Sequence, residues 1–269
     1  DNEEVWHGDP AVAMDDNGNA VVTWTNYRSG CYNIYAQKLS SNGSHLWATD
    51  LRLTSSAGTA RQYGSAVATD GSNAVVVWED RRNGSEDIYA QRINSNGTRL
   101  WTDDLRINSD AGTERQLGAA VAMDSNDNAV VVWVWYDGDN GIYDIYTQKI
   151  DNSGGKLWIA DTYVNPDTGA EYDWAEPVVA VDSSGNSIVM WTDSRNDNKD
   201  IYAQKISQAG VPVWENDLQV IFPDRLYFST GTAQSRAIDT LPGDIRQATL
   251  TVDYQTNGGS VQFYLTNDG

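Results

Sequence analysis

The chain has 269 residues, with 18 basic and 38 acidic side chains and a formal charge of −20. That balance excludes nucleic acid and anionic membrane surfaces as partners, because both demand Lys/Arg-rich faces. One cysteine excludes a disulfide framework or a thiolate metal site within the chain. Eleven Trp and 14 Tyr exclude a disordered chain, and no apolar run is long enough to span a membrane.

The first unit opens on the strand AVAMD (11–15) and turns through DDNGN (15–19). It continues as NAVVTW (19–24) and IYAQKL (34–39), then SNG (41–43), LW (46–47) and DLRLT (50–54). The second unit repeats this as AVATD (66–70), NAVVVW (73–78), DIYAQR (87–92), SNG (95–97), LW (100–101) and DLRIN (104–108). The third has AVAMD (120–124), NAVVVW (128–133), DIYTQK (144–149) and LW (157–158); the fourth has VAVD (179–182), NSIVMW (186–191), DIYAQK (200–205) and VW (213–214). The period is about 55 residues, in the range of repeat architectures. Trp24, Trp78, Trp133 and Trp191 fill one repeat position, and Trp47, Trp101, Trp158 and Trp214 another. Tryptophan richness is therefore periodic architecture, and Trp6, Trp135 and Trp174 are the exceptions.

Each unit reads as four short strands with turn signals between them and no helical period. The second strand is almost continuously apolar, so both of its faces are expected to be buried. A lone small sheet buries one face, whereas a blade in a ring packs both on its neighbours. The fold expected is all-β: a β-propeller of about four visible four-stranded repeats plus a short C-terminal β segment. The repeats divide near 1–56, 57–111, 112–166 and 167–222. Two readings stay open: a closed four-bladed ring, or an arc of a larger propeller. From about Pro223 the motifs stop, and RLYFST (225–230), QATLTVDYQT (247–256) and SVQFYLTNDG (260–269) read as part of a β-sandwich over 223–269. The chain stops on the turn signal Asn267-Asp268-Gly269, which predicts a piece of a longer protein.

The run NAVVVWEDRRNG…DIYAQRINSNGTRLW (73–101) resembles β-propeller repeats of large secreted or surface-exposed bacterial and archaeal proteins. The tail is similar to β-sandwich segments that follow such repeats. The resemblance implies a propeller and an extracellular or cell-surface location, with proteins or glycans at a cell surface as partners. It implies no particular activity. DSSG (182–185) before Trp191 also has a weaker similarity to the Asp-box of sialidase-type propellers, but the Gly-to-Trp spacing differs and the leading Ser/Thr is missing.

The candidate ligand contacts are aromatic. Trp135, Tyr136 and Tyr143 cluster in the longest insertion, and Trp6 and Trp174 precede Pro10 and Pro177 at similar distances; such rings can stack on a sugar. The turn aspartates Asp15, Asp70, Asp124 and Asp182 are the metal candidates, for calcium, against a simpler reading as Asx turns. No other cofactor is implied. Asp80, Arg82 and Asp87, recurring as Asp193, Arg195 and Asp200, read as a hairpin brace before a carboxylate-binding site. The IYAQ glutamines are expected to satisfy backbone groups between blades. No catalytic constellation stands out. The leading expectation is a non-catalytic extracellular module for display, adhesion or assembly. The alternatives are a carbohydrate-binding lectin and a fragment of a glycan-active propeller enzyme, the last marked by a funnel at the ring centre lined by non-repeated carboxylates.

Overall fold

A computed structural model describes residues 6–28, 30–55, 60–110, 112–139, 141–165, 176–195, 199–220, 249–252 and 263–266. The chain divides into two compact units, Asp1–Asp224 and Arg225–Gly269. No helix occurs among the described residues. The first unit holds four four-stranded antiparallel sheets, each a simple meander. Blade one is β1 (His7–Met14), β2 (Ala20–Arg28), β3 (Cys31–Leu39) and β4 (Leu51–Arg52). Blade two is β5 (Gln62–Thr69), β6 (Asn73–Asp80), β7 (Asp87–Asn94) and β8 (Leu105–Arg106). Blade three is β9 (Arg115–Met123), β10 (Ala129–Asp137), β11 (Ile142–Ile150) and β12 (Thr162–Tyr163). Blade four is β13 (Val178–Val181), β14 (Ser187–Asp193), β15 (Asp200–Ile206) and β16 (Leu218–Gln219). The second unit has one described hairpin, β17 (Thr249–Val252) with β18 (Phe263–Thr266).

The continuous apolar second strand is explained by alternation. Ala74, Val76 and Trp78 pack back on Val21, Ile34 and Trp47 of blade one. Val75 and Val77 pack forward on Val131 and Trp133 of blade three. Val130 and Val132 then meet Val189 and Trp191 of blade four. The core is thus three blade-to-blade layers rather than one centre, as stacking repeats require.

The second repeat tryptophan locks each layer. The indole N–H of Trp47 donates to the Ser95 carbonyl at 2.9 Å, that of Trp101 to Asn152 at 3.1 Å, and that of Trp158 to Gln208 at 3.0 Å. The IYAQ glutamines act differently from expectation. Gln91 Oε1 accepts from the backbone N–H of Arg92 and of Trp101, and its amide donates to the Trp101 carbonyl. Gln37, Gln148 and Gln204 repeat the pattern with Trp47, Trp158 and Trp214. The bonds lie within one blade, because the loop carrying the tryptophan folds back over the third strand of its own sheet.

β1 packs on β5, β5 on β9 and β9 on β13. No comparable packing joins β13 to β1 among the described residues. The four blades make an open arc, with the innermost strands lining its inner side.

Candidate functional site

The starts of β1 and β5 and the β2–β3 and β6–β7 turns surround a cavity of about 250 Å³ lined by Trp6, Asp9, Thr25, Tyr32, Arg61, Tyr63 and Arg81. Its walls come from local sequence. Gly8 lets the Trp6 ring fold across the strand: a Cβ there would stand 2.1 Å from the ring. Trp6 then meets Tyr32 edge-on at 5.6 Å, and Tyr32 meets Tyr27 at 4.9 Å.

Asp9 follows in a bulge, where the β1–β2 register slips between Gly8 and Ala11. The same bulge in β5 and β9 holds Gly64 and Gly118, each with positive φ. Asp9 takes this left-handed conformation at φ 48° despite its side chain. Aspartate tolerates this conformation better than most residues, as Asp127 does at φ 63°. The Asp9 carboxylate accepts from the Thr25 hydroxyl at 3.1 Å.

Behind the cavity lies a network built on Tyr63, Glu79 and Glu86, which the other blades lack. Tyr63 donates its hydroxyl to Glu86 Oε1 at 2.6 Å. Arg115 donates to both Glu86 oxygens, at 2.9 and 3.2 Å, and Arg81 pairs with Glu86 at 3.3 Å. Glu79 is buried at 5% exposure, takes the Gly118 N–H at 2.8 Å, and leaves Oε2 with no hydrogen-bond partner. Burial, reinforced by the negative charge of Glu86, pushes its carboxyl up to about 7. Burial also opposes the charge of Glu86, yet the hydrogen bonds from Arg115 and Tyr63 win and hold it below the ordinary range. Burial and that same Glu86 bond push the Tyr63 phenol up. Glu79 therefore holds its proton to higher pH than an ordinary carboxyl, beside Glu86, which gives its proton up more readily. Environments that separate two carboxyls in this way are the raw material of acid–base chemistry.

Of the aromatic candidates, Trp6 lines this cavity. Tyr136 and Tyr143 stack at 4.5 Å, and Arg115 reaches over the Tyr136 ring at 6.0 Å while bonding Glu86. The insertion thus adjoins the network from blade three. Trp135 is half-buried and donates to Asp110 at 3.1 Å. Trp174 lies outside the described residues. The turn aspartates bind their own turns: Asp15 takes the N–H of Asn17 and Asn19, Asp70 those of Ser72 and Asn73, Asp124 those of Asn126 and Asn128, and Asp182 those of Ser184 and Asn186. Lys38, Arg92 and Lys149 neutralise the first three. Among the described residues no group of three His, Cys, Asp or Glu assembles around a common point. Arg82 bridges Asp80 and Asp104, and Arg195 bridges Asp193 and Asp217, each over a Tyr ring. A larger groove of about 560 Å³ runs along the outer seam by Trp47 and Ser95–Gly97, lined by repeat positions.

Asp9, Arg61, Tyr63, Glu79, Arg81, Glu86 and Arg115 were not singled out by motif. Glu79 and Glu86 signal by departure from the repeat: Glu79 stands where the other blades have Thr25, Val134 and Thr192, and Glu86 where they have Tyr32, Tyr143 and Lys199. Arg61 and Arg115, in contrast, share one repeat position in AGTARQYG (57–64) and AGTERQLG (111–118), and Asp9 before Pro10 is matched by Glu176 before Pro177.

No protein-family model and no curated protein matches the chain. Solved structures do. A polysaccharide lyase of a new family, an ulvan lyase bound to -[GlcA(1-4)Rha3S]-, matches with TM-score 0.53 at 11% identity, over 77% of this chain and 53% of that one. A protein of unknown function from Dyadobacter fermentans matches with TM-score 0.51 at 12% identity, over 82% and 71%. An exo-1,5-alpha-L-arabinanase from a bovine ruminal metagenomic library matches with TM-score 0.50 at 10% identity, over 78% and 78%. At such identities the shared property is the propeller fold. The expectation of a non-catalytic display module is corrected here. The fold is shared with named glycan-active enzymes.

Proposed function

We propose that this chain is part of a glycan-active propeller enzyme, with the cavity between blades one and two as its site. The observation that carries this is a pair of carboxylates in contrasting environments, Asp9 at the cavity wall and, behind it, the buried Glu79, where the other blades have Thr25, Val134 and Thr192. Cleavage of a glycosidic bond needs two such groups, one able to give a proton and one able to take it or to stabilise positive charge. Asp9 is the carboxylate that reaches a bound sugar. Glu79 lies behind Tyr63 and holds its proton to higher pH than an ordinary carboxyl, while Tyr63, on the cavity wall, donates its hydroxyl to Glu86. Trp6 and Tyr32 offer ring faces and edges for stacking. The polysaccharide lyase and the arabinanase among the matched structures act on glycans, in keeping with this reading.

The test is reducing-end release, and formation of unsaturated product, from a panel of plant and algal polysaccharides. Activity is expected on at least one of them, lost in Asp9→Asn with unchanged melting. Full activity in Asp9→Asn, or none on any polysaccharide, refutes the reading.

A further inference from the structure

The cavity carries arginines beside Asp9. Arg61 and Arg81 line it in a protein of net charge −20. Arg81 and Arg115 are engaged by Glu86. Arg61 is not: it is exposed, its guanidinium lies 5.7 Å from the Tyr32 ring centre, and no described carboxylate pairs with it. An exposed arginine amid excess carboxylates, held over an aromatic ring rather than paired, is a vacant fork for an incoming anion. We propose that the cavity takes an acidic sugar residue, a uronate, whose carboxylate pairs with Arg61 while its ring packs on Trp6 and Tyr32. This rests on the glycan-active reading of the same site.

The experiment measures binding of an oligogalacturonide, of the same oligosaccharide after carboxyl reduction, and of a sulfated neutral oligosaccharide. Preference for the uronate over its reduced form is expected to be roughly tenfold, the scale of one charge-assisted hydrogen-bonded pair. Arg61→Gln should erase the preference and Arg61→Lys keep part of it, both with unchanged melting because the side chain is exposed. Equal binding of the uronate and its reduced form overturns the proposal, as does a preference that survives Arg61→Gln. Binding of the sulfated sugar alone overturns the carboxylate assignment. Asp9-dependent cleavage of neutral glycans without charge preference would leave the enzyme reading standing and remove this one. Arg61-dependent uronate binding without any cleavage would do the reverse.

Discussion

Glu79→Gln isolates the most perturbed carboxyl at the site. In the folded chain Glu79 titrates at about 7, against an ordinary value of 4.5. A carboxyl raised on folding binds its proton more tightly in the native state. Its contribution to stability is therefore full below the ordinary value and is lost as pH rises through the folded one. A shift of that size corresponds to about 3 kcal/mol between about pH 4 and pH 8, at about 1.4 kcal/mol per pH step. Gln keeps an oxygen for the Gly118 N–H and carries no charge at any pH. The assay is urea unfolding of both proteins across that range. The stability of the variant relative to wild type should rise with pH by about 3 kcal/mol, most steeply between about pH 5 and 7. A difference that does not change with pH would refute the reasoning, since a neutral swap at a site of ordinary pKa has no proton to count.

Asp9→Gly should leave stability unchanged or raise it by about 1 kcal/mol, because glycine suits the left-handed bulge that Gly64 and Gly118 occupy; chemical denaturation checks this, and a large loss would contradict it. Trp101→Ala should cost about 3–5 kcal/mol in the same assay, with the indole filling the junction to blade three. Lys149→Ala should cost about 3–5 kcal/mol by stranding the buried Asp124, its partner at 2.7 Å, and thermal melting reads the loss. Calcium or EDTA should leave the melting temperature unchanged, since the turn aspartates already accept their own backbone N–H groups.

Much of the fold was legible before any coordinates. NAVVVW specified a strand buried on both faces, since alternate side chains of a strand point to opposite sides and all of these are apolar. The recurring Trp and Asp-Gly turns specified a blade and its repetition. These are local properties, read from residues close in sequence. The site was not legible in the same way. Trp6 could be picked out as a tryptophan outside the repeat, yet nothing near it in sequence announces Tyr63, Glu79 or Arg115.

Sequence alone thus determined the blade, its period and the junction it is built to make. Only the tertiary structure decided that the four blades form an open arc. Whether β13 meets β1 depends on small angles summed over every junction, which no single repeat encodes. The tertiary structure also decided which side chains converge. Asp9, Glu79, Glu86 and Arg115 come from blades one to three, and packing of those blades puts them around one cavity. Burial there, a property of the assembled blades, is what raises the Glu79 carboxyl.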